Sequence, residues 1–409
     1  MKRSNFLANT AIASLLCITG LSGCSGFLPL SSLKSPVRLG AKAISPEQLA
    51  DPASDEAPVL AKGAISPLSI LRTEGGRYVA KANPDRPIRI MQLTDLHFNF
   101  NSFHGVGQDR SFETNQKTKQ MVSSCVARFH PDLVIVTGDL VWTLLNPLGT
   151  SAYMKDASAF LNSLCLSQNC YWAYVFGNHE GGGYQSAFTD RDDLSADLLK
   201  YRIDQPNGRL LYEYLPNDSS KSRWGMYSLE FVDENGGRPL WECYSLYSGD
   251  GMQTSISQEE RSWLKKNHGE AKNRNEGQEV PGFAFFHIPL QQYQTGWDKY
   301  ESHGWKKNPS NGQRESDEVM AAFQKSGVVA TFAGHDHLNN FRTQWPLGSR
   351  NIYLYDGRVS GDGAPLIGDF PPGCMLIDVD LQGRRWTAWE WDTSVGNPRS
   401  LDAEKKGEG

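Results

Sequence analysis

Five apolar runs interrupt the chain, at residues 88–94, 133–137, 171–176, 283–286 and 328–333. Each is short and dense in β-branched or aromatic residues, a pattern that predicts a buried strand. Each also stops at residues able to hold a metal or work beside one. These blocks are Asp95-Leu96-His97, Gly138-Asp139, Gly177-Asn178-His179-Glu180, His287, and Gly334-His335-Asp336-His337. Open α/β sheets bind ligands beyond the carboxyl ends of their strands. Gly138, Gly177 and Gly334 let the chain turn sharply as it leaves three of the runs.

Between the runs the apolar pattern turns helical. Over residues 114–130, Met121, Val122, Cys125, Val126 and Phe129 share one helical face, and Pro131 ends the segment. Ser257 and Glu260 have the spacing of a capping box, opening a helix that carries Trp263 and Leu264. Ser316 predicts the cap of a helix over 317–325 that stops near Gly327. This strand–helix–strand order predicts an α/β core. Residues 224–232 and 240–246, about Asn235-Gly236-Gly237, read as an antiparallel hairpin. Residues 351–355, 374–381 and 384–391 read as further strands, the last two joined through Gln382-Gly383. Trp386, Trp389 and Trp391 are assigned to packing rather than to a sugar platform. Residues 181–222 carry few signals and read as an excursion near the site.

The first 84 residues have a different character. Met1-Lys2-Arg3 and the apolar stretch through Ile18 predict a secretory leader, too short and interrupted for a comfortable membrane span. It closes on Leu21-Ser22-Gly23-Cys24, which resembles the lipobox of bacterial lipoproteins. That resemblance implies cleavage before Cys24 and a diacylglyceryl thioether on it. The protein would then be exported to the bacterial cell envelope and held on a membrane through N-terminal lipid, facing the periplasm or the cell surface. Residues 25–84, rich in Ser, Pro, Ala and Gly, read as a flexible tether with an ordered piece near 70–79. The expected division is a leader at 1–23, a lipidated tether at 24–84, a folded body at 85–395 and a polar tail at 396–409.

Composition narrows the classes. Among 409 residues, 41 Lys+Arg face 46 Asp+Glu for a net charge of −5. Without Lys2 and Arg3 the count is 39 basic against 46 acidic residues, net −7. No cationic excess is present to coat nucleic acid broadly, and a mean hydropathy of −0.49 excludes a multi-span membrane protein. Beyond Cys17 and Cys24, the cysteines are Cys125, Cys165, Cys170, Cys243 and Cys374. No Cys-x-x-Cys pair supports a zinc ribbon or a thioredoxin-like motif. Cys165 and Cys170 have a spacing that could close a small loop after export, and Cys125 is assigned to the core.

The blocks offer two carboxylates, one amide oxygen and four imidazoles, with His179 and Glu180 beside them. Oxygen and nitrogen donors without thiolate suit zinc, manganese or iron. Asp95 and His97 are two apart, as are His335 and His337, so in an extended segment each pair faces one way. One Asp shared between two ions holds them about 3.5–4 Å apart. Two divalent ions against Asp95 and Asp139 leave a local positive charge. That charge favours a phosphate anion and lowers the pKa of a shared water to generate hydroxide near neutral pH. His179 is placed to protonate a departing alkoxide.

This set of five blocks, in this order across residues 88–340, resembles the calcineurin-like metallophosphoesterase superfamily. Gly177-Asn178-His179-Glu180, Phe286-His287-Ile288-Pro289-Leu290 before Tyr293, and Ser248-Gly249-Asp250 resemble the bacterial and plant group related to purple acid phosphatases. The resemblance implies a four-layer α/β/β/α sandwich (α/β, or α+β) with central mixed β-sheets. It also implies a dinuclear site: Asp95, His97 and His337 on one ion, Asn178, His287 and His335 on the other, and Asp139 bridging. His179 would contact phosphate and act as the catalytic acid, while Asp336 holds the variable place between two histidines. The coloured purple acid phosphatases carry a Tyr ligand shortly after the Gly-Asp block and lack a His after the first Asp. Here that stretch is Asp139-Leu140-Val141-Trp142-Thr143 and His97 is present. Tyr-to-Fe(III) charge transfer is therefore not expected, and the two metals are Fe, Zn or Mn without a choice among them.

The implied activity is hydrolysis of phosphate monoesters by a metal-activated hydroxide, with an acidic optimum. Two alternatives stand beside it: a phosphodiesterase acting on cyclic nucleotides or phospholipid headgroups, and a lipoprotein that binds a phosphorylated ligand without turnover. Five of the nine histidines fall in the blocks. His130 reads as a helix-end residue, and His268 and His303 read as solvent-facing. His104, Asn99 and Arg110 are lesser candidates for contact with substrate. Glu180 is expected behind His179, orienting it or a neighbouring backbone group.

Overall fold

All five apolar runs become strands in the computed structural model of the chain. It describes residues 68–73, 76–81, 86–99, 111–142, 150–180, 191–215, 223–233, 235, 237–249, 255–310, 312–348, 350–364, 367–401 and 407–408. Cys24, the leader, His104, Arg110 and Asp250 lie outside the described residues.

The described residues open with β1 (Ser69–Thr73), β2 (Arg77–Lys81), β3 (Ile88–Leu93), β4 (Phe98–Asn99) and helix α1 (Ser111–Phe129). Next come β5 (Leu133–Thr137), β6 (Val141–Trp142), α2 (Thr150–Gln168), β7 (Tyr171–Val175) and α3 (Arg191–Leu198). A run of strands follows: β8 (Leu210–Leu211), β9 (Tyr214–Leu215), β10 (Arg223–Trp224), β11 (Tyr227–Val232) and β12 (Pro239–Ser245). Then α4 (Gln258–Arg274), β13 (Gly282–Phe285), α5 (Gln291–Lys299), β14 (Ser302–Lys306), α6 (Ser316–Gln324) and β15 (Val328–Ala333) alternate. The chain closes with β16 (Asn339–Leu347), β17 (Arg350–Asp356), β18 (Gly373–Asp380), β19 (Arg385–Asp392), β20 (Arg399–Ser400) and β21 (Gly407–Glu408).

Two mixed sheets result. One has seven strands in the order β20-β19-β18-β3-β5-β7-β8, the other ten in the order β1-β2-β11-β12-β13-β15-β17-β16-β14-β21. The parallel centres are β3-β5-β7-β8 and β12-β13-β15-β17. Strand alternation sorts the side chains into layers. Phe283, Phe285, Phe332 and Tyr355 of the ten-stranded sheet join one core with residues of the other sheet and of α1 and α2. Their neighbours Ala284, Phe286, Ile352 and Leu354 form a second core with Leu264 of α4, Tyr293 and Trp297 of α5, and Phe323 of α6. The architecture is therefore helix, sheet, sheet, helix. Phe285, Phe332 and Tyr355 stack at 5.0 and 4.8 Å, and burying each such ring stabilises the fold by roughly 1.5–3 kcal/mol. Trp386 meets Trp241, Phe283 and Tyr353 edge-on, and Trp391 meets Phe129, so both pack as their sequence context suggests.

Several sequence expectations need correction. Paired strands lie on both sides of the 85–395 span. The β1–β2 hairpin extends the ten-stranded sheet alongside β11, and its Arg72 and Tyr78 both bond Glu213. At the other end β20 pairs with β19 and β21 with β14. Ile70, Tyr78 and Ala80 of the β1–β2 hairpin are buried in the core shared by the two sheets, within the segment where an ordered piece is expected near 70–79. Helix α2 carried no prediction because its buried stripe mixes Met154, Leu161 and Cys165 with Ala157, Ser158 and Asn162. The Ser257 capping box is present. Ser316, by contrast, is not a cap: Glu315 holds that position at φ 51, and the Ser316 hydroxyl donates to the Gln313 carbonyl. His268 is not solvent-facing but buried between Glu242 and Glu279, at 2.8 and 2.9 Å. His303 is partly shielded and bonds Glu301. The five described cysteines are free and buried.

Candidate metal centre

The site forms where the carboxyl ends of β3, β5 and β7 meet those of β13 and β15. The turns leaving these strands are tight. Asp95, His97, Asp139 and His335 have φ of 53, 46, 50 and 75, a left-handed conformation that residues other than glycine rarely adopt. Each such residue costs about 1–3 kcal/mol and persists only where its surroundings enforce it. For Asp95, His97 and Asp139 the enforcement is a short ladder, in which the amides of Asp95, His97 and Phe98 donate to the carbonyls of Gly138, Asp139 and Leu140 at 3.1, 3.0 and 3.0 Å, while the His335 amide donates to Asp95 Oδ2. The ladder leads into the parallel pair β4–β6. Asp95 and His97 thus converge through left-handed turns, not through the extended spacing their sequence suggests. Glycine is required at two neighbouring points. A Cβ on Gly138 would lie 2.5 Å from His287 Nδ1, and one on Gly177 would lie 2.1 Å from Asp139 Oδ1.

The structure brings all seven expected donors and His179 together. Ligand atoms of Asp95, His97, Asp139 and His337 lie within 4.8 Å of one another, as do those of Asp139, His287 and His335. Asp139 belongs to both groups. His97 Nε2 and His337 Nε2 are 3.0 Å apart, and His337 Nε2 is 3.3 Å from Asp95 Oδ1. Asn178 Oδ1 completes the second group, 3.0 Å from His287 Nε2 and 2.9 Å from His335 Nδ1. His287 Nδ1 donates to the Thr137 carbonyl at 2.8 Å, which aims Nε2 at the centre. One oxygen of each carboxylate is anchored and the other is turned inward. Asp95 Oδ2 accepts from the Thr94 hydroxyl and the His335 amide, whereas its buried Oδ1 has no hydrogen-bond partner among the described residues. Asp139 Oδ1 accepts from the His179 amide, while Oδ2 lies 3.2 Å from His287 Nε2 and 3.7 Å from His97 Nε2. An orphaned carboxylate oxygen beside converging imidazole nitrogens is a donor set that fits divalent cations.

Electrostatics follow from the crowding. Burial pushes the Asp95 and Asp139 carboxyls up, but the surrounding imidazoles overcome it and hold both well below the usual carboxylate range. Burial pushes His287 down, and the Asp139 carboxylate reverses that, lifting it to about 10. His335 falls to about 3 and His179 to about 4, in each case chiefly through burial. His97 is lowered for the same reason. Such opposed shifts within one cluster are common at functional sites.

Around this cluster lie residues the sequence left unassigned. Gln92 spans the two sheets, donating to the Thr137 hydroxyl and the Ala333 carbonyl at 2.9 Å each. The Ser360 hydroxyl accepts from the Thr94 amide, and the Ser248 hydroxyl accepts from the amide of Ile288, next to His287. Ser248 stands in the Ser248-Gly249-Asp250 segment of the resemblance, but Gln92, Thr94 and Ser360 have no donor atom in the cluster, so no spacing rule could have found them. Glu180 is fully buried and bonds backbone, its two oxygens accepting from the amides of Val141 and Gly177 at 3.0 and 2.8 Å. Asp336 is buried and faces Asp356, whose carboxyl is raised well above its ordinary value by burial and by that neighbour.

Curated relatives include the "probable inactive purple acid phosphatase 29" of Arabidopsis thaliana, 24% identical over 342 residues that span 77% of this chain and 82% of that one. The "probable inactive purple acid phosphatase 14" of the same plant is 22% identical over 355 residues, 80% of this chain and 84% of that one. Among solved structures, a dimetal phosphatase from Danio rerio is 11% identical, with a TM-score of 0.49, covering 78% of this chain and 99% of that one. Residues 88–339, which hold every member of the cluster, match the profile of the calcineurin-like phosphoesterases. The chain belongs to the calcineurin-like phosphoesterase family.

Proposed function

We propose that the protein is a dinuclear metallophosphoesterase that hydrolyses phosphate monoesters. The observation that carries this reading is the convergence of seven donors into two groups sharing Asp139. Asp95, His97 and His337 would hold one ion, Asn178, His287 and His335 the other, and Asp139 both; Fe, Zn and Mn all suit this donor set. Ions held there would supply positive charge for the phosphoryl oxygens and a water acidic enough to ionise near neutral pH. The protein's part is preorganisation. The Thr137 carbonyl fixes the His287 tautomer, the His179 amide fixes Asp139, and Glu180 locks the two turns on either side. His179, a quarter of whose side chain is exposed, would meet the substrate, whose phosphate charge favours the protonated imidazole against the burial that lowers its pKa, and give its proton to the leaving oxygen.

A second reading, binding without turnover, draws on the word "inactive" in the names of the plant relatives. The intact donor set of this chain favours catalysis. The test is metal analysis together with hydrolysis of p-nitrophenyl phosphate and of its bis ester, with Mn²⁺, Zn²⁺ or Fe²⁺, for the natural protein and Asp139→Ala. The expected result is two ions per chain in the natural protein, faster turnover of the monoester, and a loss of about 10³-fold or more in the variant. Faster turnover of the bis ester would make the protein a diesterase. Metal loading with no hydrolysis above the variant would leave only the binding reading.

A further inference from the structure

The His179 imidazole is not steered by any side-chain hydrogen bond among the described residues. Its main chain is fixed through the amide, but its ring makes no hydrogen bond there, and Nε2 is 3.8 Å from Asp139 Oδ2. What confines the ring is packing. It meets the His97 ring edge-on, with centroids 5.4 Å apart, and the Trp142 indole edge-on at 6.5 Å. Trp142 also meets His97 edge-on, at 6.2 Å, so the three rings form a mutual contact.

Trp142 is itself held from the backbone. Strand β6 pairs with β4 in the register Phe98↔Val141 and Asn99↔Trp142. The Val141 amide donates to Glu180 Oε1, so the residue before Trp142 is tied to the residue after His179. The indole Nε1 is buried without a hydrogen-bond partner among the described residues, and the indole is therefore held as a packing surface. An edge-to-face partner restricts which rotamers an imidazole can adopt. A proton donor misplaced by 1 Å can lose about 10²-fold in rate.

We propose that Trp142 is a positioning residue for His179, holding the imidazole where it can protonate the leaving oxygen and thereby deciding how well esters of poor leaving groups are hydrolysed. The inference rests on the reading of His179 as the acid. In that step a water oxygen bonds phosphorus as the bond from phosphorus to the leaving oxygen breaks. The electron pair goes to that oxygen, the imidazolium proton passes to it, and an alcohol departs from neutral imidazole.

The experiment compares kcat on ethyl phosphate, whose alkoxide needs a proton, with kcat on 2,4-dinitrophenyl phosphate, whose phenolate does not. It uses the metal-loaded natural protein, Trp142→Ala, Trp142→Phe and His179→Ala, together with crystal structures that show the His179 ring. In Trp142→Ala the ratio of ethyl to dinitrophenyl turnover falls by about tenfold or more, in the direction set by His179→Ala, and the ring occupies more than one rotamer. Trp142→Phe, which keeps an aromatic edge, restores most of the ratio. Equal losses on both esters in Trp142→Ala, or an unmoved ring, overturn the inference. If His179→Ala itself lowers both esters equally, the acid role falls instead, and ring order alone then decides whether Trp142 positions it.

Discussion

At the scale of single residues, the site depends on carboxylates and imidazoles whose partners are mostly backbone. Glu180 makes the point. It binds no other side chain among its described hydrogen bonds, and instead ties the Val141 and Gly177 amides that flank Asp139 and Asn178. In Glu180→Gln one amide loses its acceptor and faces another donor, which costs about 1–3 kcal/mol of stability. Metal affinity should fall by about 10–100-fold. Urea unfolding and competition with a metal chelator would measure the two effects, and unchanged affinity would contradict the role. His268 allows a test remote from the centre. Burial lowers its pKa, but hydrogen bonds to Glu242 and Glu279 outweigh this and raise it above its ordinary 6.5. A raised folded-state pKa gives stability that is fully present below the unfolded value and lost as pH rises through the folded one. The Tm advantage of the natural protein over His268→Gln should therefore be larger at about pH 5.5 than at about pH 9. Equal advantages at both would show that the imidazolium contributes nothing.

At the scale of elements, strand-end turns do what strands and helices cannot, bringing donors from five segments within a few ångströms. Four of those donors sit in left-handed backbone, so the turns are held by hydrogen bonds to one another rather than by local preference. Gly177 is where the turns from β5 and β7 come closest. A methyl group there would meet both the Asp139 carboxylate and the Asp139 amide nitrogen, at 2.1 and 2.4 Å. Since backbone cannot yield as a side chain does, Gly177→Ala should displace Asp139 from both donor groups. Bound metal and phosphoesterase activity should drop while the far-UV circular dichroism spectrum is kept. A variant with full metal content would show that the turns are looser than their contacts imply. The blocks themselves were legible in the sequence, because donor residues directly after buried strands stand out against apolar runs. The left-handed turns were not, since nothing in Asp95-Leu96-His97 marks a residue that must adopt positive φ.

At the scale of the whole molecule, each donor group draws on both sheets, since Asp95, His97, Asp139 and Asn178 follow strands of one sheet while His287, His335 and His337 follow strands of the other. The stacked rings of Phe285, Phe332 and Tyr355 line the core shared by the two sheets. Phe332→Ala should cost about 3–5 kcal/mol in urea unfolding, and a loss below about 1 kcal/mol would mean that the core closes over the gap. The sequence by itself determined the buried central strands, the helix over α1, the β11–β12 and β18–β19 hairpins and the candidate donors, because period and residue chemistry are local properties. It left the limits of the folded body obscure, since β1, β2, β20 and β21 are only two to five residues long. It misplaced His268, whose burial depends on Glu242 from a strand and Glu279 from a loop. It was silent on Gln92, Thr94, Thr137 and Ser360, which matter only because two sheets bring their ends together. Only the tertiary structure decided those, and with them the sharing of Asp139, the seat of Trp142 against His179 and the brace made by Glu180. Each of these depends on the relative placement of segments distant in sequence, which a one-dimensional pattern does not contain.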